Sequence, residues 1–358
     1  MTLSLLLAFY LGIGTSIAHA QTSATSGASC SSCNKRNLNP AQQVETLNDL
    51  ISQVMSFGHN SKSLNEIMNY TYSYRYQCRT KEYKSFQTQY VDYIKVAATE
   101  FQVPPELLTC LIFIESRFNP QARSDAGAIG LAQFLPNTLS YVSSIIKQTD
   151  VDNKEKDKLK AIEASYLKAL DDSTPNPSLQ LKKDYEYSQS RLKNIELADG
   201  WKNYIDTVQD TKAFKSQYGS KKPWAGDYPT FFDRSRAQTP VLAIGAAALY
   251  LKDIMNNFGK NINDQAIKKQ DQYLPFLTVV SGAYNMGPGI AIRIIEKSQA
   301  KSSNPKDDIN QWVVSLEKNP ETTKHMKSIK NCMEKDNQTP PYTIVNKKGK
   351  LAEENACE

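Results

Sequence analysis

The sequence predicts a mainly α-helical protein, and three observations carry that expectation. Apolar residues recur at helical spacing in one stretch after another, as in Phe86, Tyr90, Tyr93, Ile94 and Ala97. Prolines stand where a first helical turn tolerates them, at Pro104, Pro105, Pro240 and Pro275. Between these stretches lie helix-stopping pairs and turns such as Asn119-Pro120 and Gly287-Pro288-Gly289.

Taken in order, Leu3 to Ile17 carry no charge and lead to Ala18-His19-Ala20, a small-x-small cleavage pattern before Gln21. Residues 1–20 therefore read as a secretory signal peptide, although a basic n-region is missing, and the mature chain is expected in the periplasm or outside the cell. No later stretch approaches the roughly 20 apolar residues that cross a bilayer, so integral membrane association is not expected. Lipidation is not expected at Cys30, because Gly27 stands where a lipoprotein signal needs an aliphatic residue. Residues 21–39, rich in Ser, Thr, Ala, Gly and Asn, read as a flexible leader that holds Cys30 and Cys33. Residues 40–100 read as an N-terminal helical region, with stripes at 41–57, 64–76 and 83–101.

The stretch Pro105 to Thr138 is the most informative. Leu107, Leu108, Leu111, Ile112 and Ile114 make one helix side apolar, and Glu115 follows Leu111 by four residues and Leu108 by seven. Its carboxyl is thus placed on or beside the apolar face in the last turn. Burial there disfavours charge, so its pKa is expected above the ordinary value of about 4.3. A raised pKa suits a general acid near neutral pH. Asn119-Pro120 is expected to stop the helix, and Gly127 and Gly130 lie in a loop whose backbone can approach a ligand closely. Asp125, on the same loop, is either a polar loop residue or a second carboxylate.

Beyond a helix from Pro136 through Ile146, residues 147–232 are rich in Lys, Asp, Glu and Tyr, with Pro175 and Pro177 between two charged helical stretches. Their charges nearly balance, so a uniform anion-binding patch is not indicated. Tyr185, Tyr187, Trp201, Tyr204, Trp224, Phe231 and Phe232 offer either packing or stacking surfaces. Pro240 to Phe258 is an Ala/Leu-rich helix, and Tyr273 to Ala283 is an apolar helical run. Tyr284 and Asn285 then precede the glycine-proline break, which exposes both side chains to a groove. Helices follow at 290–298, 308–316 and 321–333, before a tail with Pro340, Pro341 and Cys357.

Composition narrows the chemistry. A mature chain of about 338 residues can bury a large core. Six cysteines in an exported chain can oxidise, but the sequence does not choose their pairing. Cys30-Ser-Ser-Cys33 has neither a helix signal after it nor a second close pair and is read as forming structural or labile disulfides, and Cys110, with no nearby His, is read as a buried structural residue, free or disulfide-bonded. Beyond the signal peptide only His59 and His325 remain, neither in a recognisable spacing. A histidine metal site and a Ser-His-Asp triad are thus poorly supplied, no metal or cofactor is expected, and the chemistry shifts toward carboxylates. The net charge of +6 favours an anionic partner. Nucleic acid is not that partner: the lysines are scattered, the usual motifs are missing and the chain is exported.

Two blocks resemble a known family. Glu115-Ser116, Phe118-Asn119-Pro120, Ala122, Ser124, Gly127-Ala128, Gly130-Leu131, Gln133, Pro136 and Thr138 are similar to the catalytic core of soluble lytic transglycosylases, whose fold resembles goose-type lysozyme. Ser281 to Gly289 resembles the family's Ala-Tyr-Asn-Ala-Gly signature, with Met286 in place of the second Ala. In the helix that usually reads Asn-Ile-x-x-Gly-x-x-Tyr-Leu, Ala243 and Ala247 replace Asn and Gly. The resemblance implies a lysozyme-like helical catalytic domain in two parts, 101–146 and 233–335, interrupted by a large helical insertion at 147–232 and followed by a tail at 336–358. It implies Glu115 as the catalytic acid and then base, with Ser124, Gln133, Tyr284 and Asn285 as substrate-binding residues. The substrate implied is the glycan strand of peptidoglycan, opened to 1,6-anhydromuramoyl ends. The alternatives are a lysozyme-like hydrolase that uses Asp125 and a noncatalytic wall-binding protein. An insertion at this point of the chain is expected either to cap the cleft or to brace the domain.

Overall fold

The computed structural model describes residues 82–149, 151, 153–171, 178–224, 226, 229, 231–259, 273–299 and 309–334. The signal peptide, the leader, the helical stripes at 41–57 and 64–76, the tail and Cys30, Cys33, Cys78 and Cys357 lie outside these residues. Twelve helices are found among the described residues, and the extended structure there is limited to two isolated bridges, Arg123 with Ile129 and Ile129 with Phe134.

The fold is built around α8 (Pro240–Gly259). Its alanines at 243, 246, 247 and 248 are fully buried, and their small side chains let neighbouring helices approach closely. Packed on it are α1 (Glu82–Phe101), α2 (Pro105–Ser116), α3 (Pro136–Ile146), α5 (Leu179–Gln209) and α9 (Tyr273–Met286). Gly245 takes the close-packing position: a Cβ there would meet the Tyr204 ring at 2.2 Å. The Tyr204 hydroxyl donates to the Val241 carbonyl at 2.6 Å.

The segment 147–232 divides in the structure. Helices α4 (Asn153–Asp171) and α5 run antiparallel, joined by Lys156 to Asp199 at 2.8 Å, Arg191 to Glu155 at 2.9 Å and the stacked rings of Tyr166 and Tyr185. Up to residue 194 this hairpin is mostly open to solvent. From Ile195 onward α5 enters the core through Leu197, Ala198, Trp201, Tyr204, Ile205 and Val208. A buried ion pair, Lys193 Nζ to Asp253 Oδ1 at 2.7 Å, ties α5 to α8, and Tyr141 of α3 donates to Asp253 Oδ2 at 2.8 Å. Five of the aromatics that sequence offered for stacking, Tyr185, Trp201, Tyr204, Trp224 and Phe232, are buried; Tyr187 and Phe231 are exposed. Short helices α6 (Lys212–Tyr218) and α7 (Arg234–Ala237) lead back to α8.

The C-terminal part adds α10 (Pro288–Gln299), α11 (Ile309–Leu316) and α12 (Pro320–Met333). Helix α12 packs on α9 and α2, and a disulfide between Cys110 of α2 and Cys332 of α12 fastens the pair. Each large apolar side chain fully buried in these contacts stabilises the fold by roughly 1.5–3 kcal/mol. Among the described residues no helix is long and apolar enough to cross a membrane.

Candidate active site

Glu115 occupies the last turn of α2, and the way that helix ends fixes where its carboxyl points. The helix stops at Ser116, before the Asn119-Pro120 pair that sequence marks as its end. Arg117 and Phe118 both adopt left-handed backbone, with φ of 53° and 60°, and the Arg117 N–H closes the helix on the Phe113 carbonyl at 2.8 Å. Such conformations cost non-glycine residues free energy. Burial of the Phe118 ring, packed against Tyr90 and Phe113, offsets that cost and turns the chain sharply into the glycine loop.

The loop is held by its own polar groups. Ser124 accepts from the Ala128 N–H on its hydroxyl at 3.1 Å, and the Gly130 N–H donates to the Ala122 carbonyl at 3.0 Å. Gly130 needs to be glycine: its φ is +79°, and a Cβ would lie 1.9 Å from the Ala237 carbonyl oxygen. Gln133, itself left-handed at φ 48°, donates its amide to the carbonyls of Ala122 at 3.1 Å and Gly130 at 2.9 Å. The amide nitrogen is thus spent on the loop, and the amide oxygen is the part left to meet a ligand. Ser124 and Asp125 are exposed, and Asp125 makes no bond to any described residue.

Tyr284, near the end of α9, donates its hydroxyl to the Ala132 carbonyl at 2.8 Å, beside Gln133. Its ring meets Phe134 and Tyr250. Burial, with the Glu115 charge as a smaller cause, pushes its pKa well above the ordinary value, so the phenol keeps its proton. Asn285 faces α12, where its side-chain oxygen accepts from Thr322 Oγ1 at 2.9 Å.

Burial raises the Glu115 carboxyl to about 8, and the Glu321 carboxylate pushes in the same direction. The expected direction is therefore found, and near neutral pH the group holds its proton. His325 of α12 places Nδ1 3.7 Å from Glu115 Oε1. That distance would pass for an ion pair, yet burial also lowers the His325 pKa to about 4. Both groups are neutral near pH 7, and the contact is an acid beside an uncharged imidazole. Among the described residues no group of three or more His, Cys, Asp or Glu side chains is gathered to hold a metal.

The structure thus brings Glu115 to Tyr284, and to His325 and Glu321, which sequence reading passed over. Ser124, Gln133 and Asn285 are placed on the adjoining loop and helix without a hydrogen bond to the Glu115 carboxyl. A sequence signal for the missed pair exists in hindsight: Glu321, His325 and Cys332 share one face of α12, and Cys110 lies five residues before Glu115. A separate groove of about 710 Å³ runs between α3 and the 231–234 segment, lined by Ser140, Ser143, Lys147, Phe231 and Arg234 among others. Neither Glu115 nor Tyr284 lines it, so the candidate site is not assigned to it.

Residues 92–207 match the family model of the Transglycosylase SLT domain. The match takes in the second half of α1, all of α2 to α4 and nearly all of α5, and ends before Tyr284. No solved structure matches the chain.

Proposed function

We propose that, in line with the match of residues 92–207 to the Transglycosylase SLT domain, the protein cleaves peptidoglycan in the manner of a lytic transglycosylase, with Glu115 as one group acting first as acid and then as base. The observation that carries this reading is a carboxyl held protonated near neutral pH, at the end of α2 and inside the matched domain. Opening the β-1,4 bond between N-acetylmuramic acid and N-acetylglucosamine requires a proton on the leaving oxygen and stabilisation of positive charge at the sugar carbon. Glu115 gives its proton to that oxygen as the C1–O bond breaks, and the 2-acetamido group supports C1 from within the sugar. The Glu115 carboxylate then takes the proton of the muramic acid 6-hydroxyl, whose oxygen bonds to C1. The product is a 1,6-anhydro end, the carboxyl is again protonated, and no water is consumed.

The neighbouring residues fit supporting roles in this scheme. Tyr284 keeps its proton and holds the Ala132 carbonyl, which fixes the wall of the cleft beside Gln133. The free oxygen of Gln133 and the exposed hydroxyl of Ser124 are assigned to sugar hydroxyls and amides. Asn285 is assigned to the cleft through its hold on α12. Asp125 is exposed, and reducing-end products would assign it the water-holding role of the hydrolase reading. Action on the cell wall implies an exported protein, in keeping with the expected signal peptide at residues 1–20.

Muropeptides released from purified peptidoglycan by the mature protein, with Glu115→Gln as control, test the proposal by mass spectrometry. Anhydro ends, lighter than reducing ends by one water, are the expected products. Reducing ends would transfer the chemistry to a water held by another carboxylate; binding without products would favour a noncatalytic role.

A further inference from the structure

We propose that His325 is the positioning residue for Glu115, its Nδ1–H directed at Glu115 Oε1 so that the other carboxyl oxygen presents its proton to the substrate. This inference rests on the assignment of Glu115 as the acid. The geometry comes from α12, which crosses α2 in an antiparallel sense: Cys110 meets Cys332, and Glu115, later in α2, meets His325, earlier in α12. His325 lies between two fastenings on its own helix. Three residues before it, Thr322 donates to Asn285 of α9 at 2.9 Å; seven residues after it, Cys332 is bonded to α2. An imidazole pinned on both sides in this way has little freedom to turn away from the carboxyl.

Its chemical state fits the task. The His325 side chain is 7% exposed, and its Nε2 has no hydrogen-bond partner among the described residues. A buried neutral histidine with nothing to hold at Nε2 has its other nitrogen as the working atom, and Nδ1 faces Glu115 at 3.7 Å. That separation is longer than a hydrogen bond, as is common for catalytic contacts before substrate binds. At 3.7 Å the Nδ1–H dipole already favours the charged carboxylate in the free protein, and closure in the complex shortens the contact to an N–H···O bond. No proton passes through the imidazole. The proton that leaves Glu115 goes to the glycosidic oxygen, and the Nδ1–H steadies the carboxylate left behind until the 6-hydroxyl proton returns. Among the described residues, the other ionisable groups facing Glu115 are Tyr284 from α9, whose proton is committed to Ala132, and Glu321, one turn before His325 on the same face of α12.

Two substitutions separate positioning from bulk. In His325→Asn the side-chain amide offers a donor near the Nδ1 position, whereas in His325→Gln it reaches the Nε2 position and cannot serve Glu115. With peptidoglycan as substrate, His325→Gln is expected to lower kcat about 10- to 100-fold with KM little changed. It also moves the alkaline limb of the kcat/KM profile to higher pH, because a carboxylate deprived of its donor is harder to form. His325→Asn is expected to restore most of kcat and return the limb toward its parental place. His325→Phe covers the case in which the Gln variant does not fold. NMR titration of Glu115 in the same variants gives a readout independent of turnover: a carboxyl shifted upward in the Gln or Phe variant supports the role. Folded Gln and Phe variants with parental kcat, limb and Glu115 titration would overturn it, as would Asn and Gln variants equally impaired with the limb unmoved. A parent protein without turnover would defeat the functional reading alone, and the titrations would still decide the His325 contact.

Discussion

Replacing Glu115 with Gln is expected to leave the helices in place and to lower turnover at least about 100-fold, the scale of a lost general acid. The same substitution has a second signature, in stability. Glu115 has a folded pKa of about 8 against an ordinary value of 4.5, so between those values the folded state keeps a proton that the unfolded chain releases. The parent therefore loses stability as pH rises from 4.5 through 8, and an amide, which does not titrate, avoids that loss. Gln should become progressively more stable than the parent across this window, by on the order of a few kcal/mol at its alkaline end. His325 works in the opposite sense: its folded pKa of about 4 lies below the ordinary 6.5, so its contribution grows from pH 4 to 6.5 and is then complete. Above pH 6.5 the Glu115 term changes alone, and that is where paired thermal melts of parent and variant isolate it. A difference independent of pH would contradict the burial of the carboxyl.

The second large effect is expected from the Cys110–Cys332 disulfide. It closes a loop with a sequence separation of 222 and joins the helix of Glu115 to the helix of His325. Replacing both cysteines with Ala should lower the unfolding free energy by about 2–5 kcal/mol, the range for cross-links of long loops. Because α12 carries the groups that face Glu115, turnover of the folded variant should fall as well. Denaturant unfolding at a temperature where both proteins fold reads the first effect, and an unchanged midpoint would show that other contacts of α12 suffice.

What was legible in the sequence was local. The spacing of Leu108, Leu111 and Glu115 sets a carboxyl at an apolar face within two helical turns, and the direction of its pKa follows from that alone. The helical class follows equally from short-range periodicity. The end of α2 was harder to place, since neither Arg117 nor Phe118 favours left-handed backbone; tertiary burial of the Phe118 ring decides it. Gln133 was legible as a polar group near the site, but its amide nitrogen serves the loop itself. His325 stands more than 200 residues from Glu115, and a lone histidine carries no spacing to reveal it. The long-range packing of α12 on α2 and α9, fastened by Cys110–Cys332, places it, and six cysteines do not announce their partners. Likewise, composition alone could not tell which aromatics of 147–232 were core, because the packing of α5 on α8 is a long-range event.

The most direct test of the account is the titration of Glu115 itself, by NMR of the side-chain carboxyl in the folded parent protein, with Glu115→Gln to assign the signal. A midpoint near 8 is the predicted result: it would show an acid that holds its proton at neutral pH before any substrate arrives. A midpoint between 4 and 5, near the ordinary value of about 4.3, would mean that water reaches the carboxyl. It would then be charged at neutral pH, which contradicts its assignment as the proton donor.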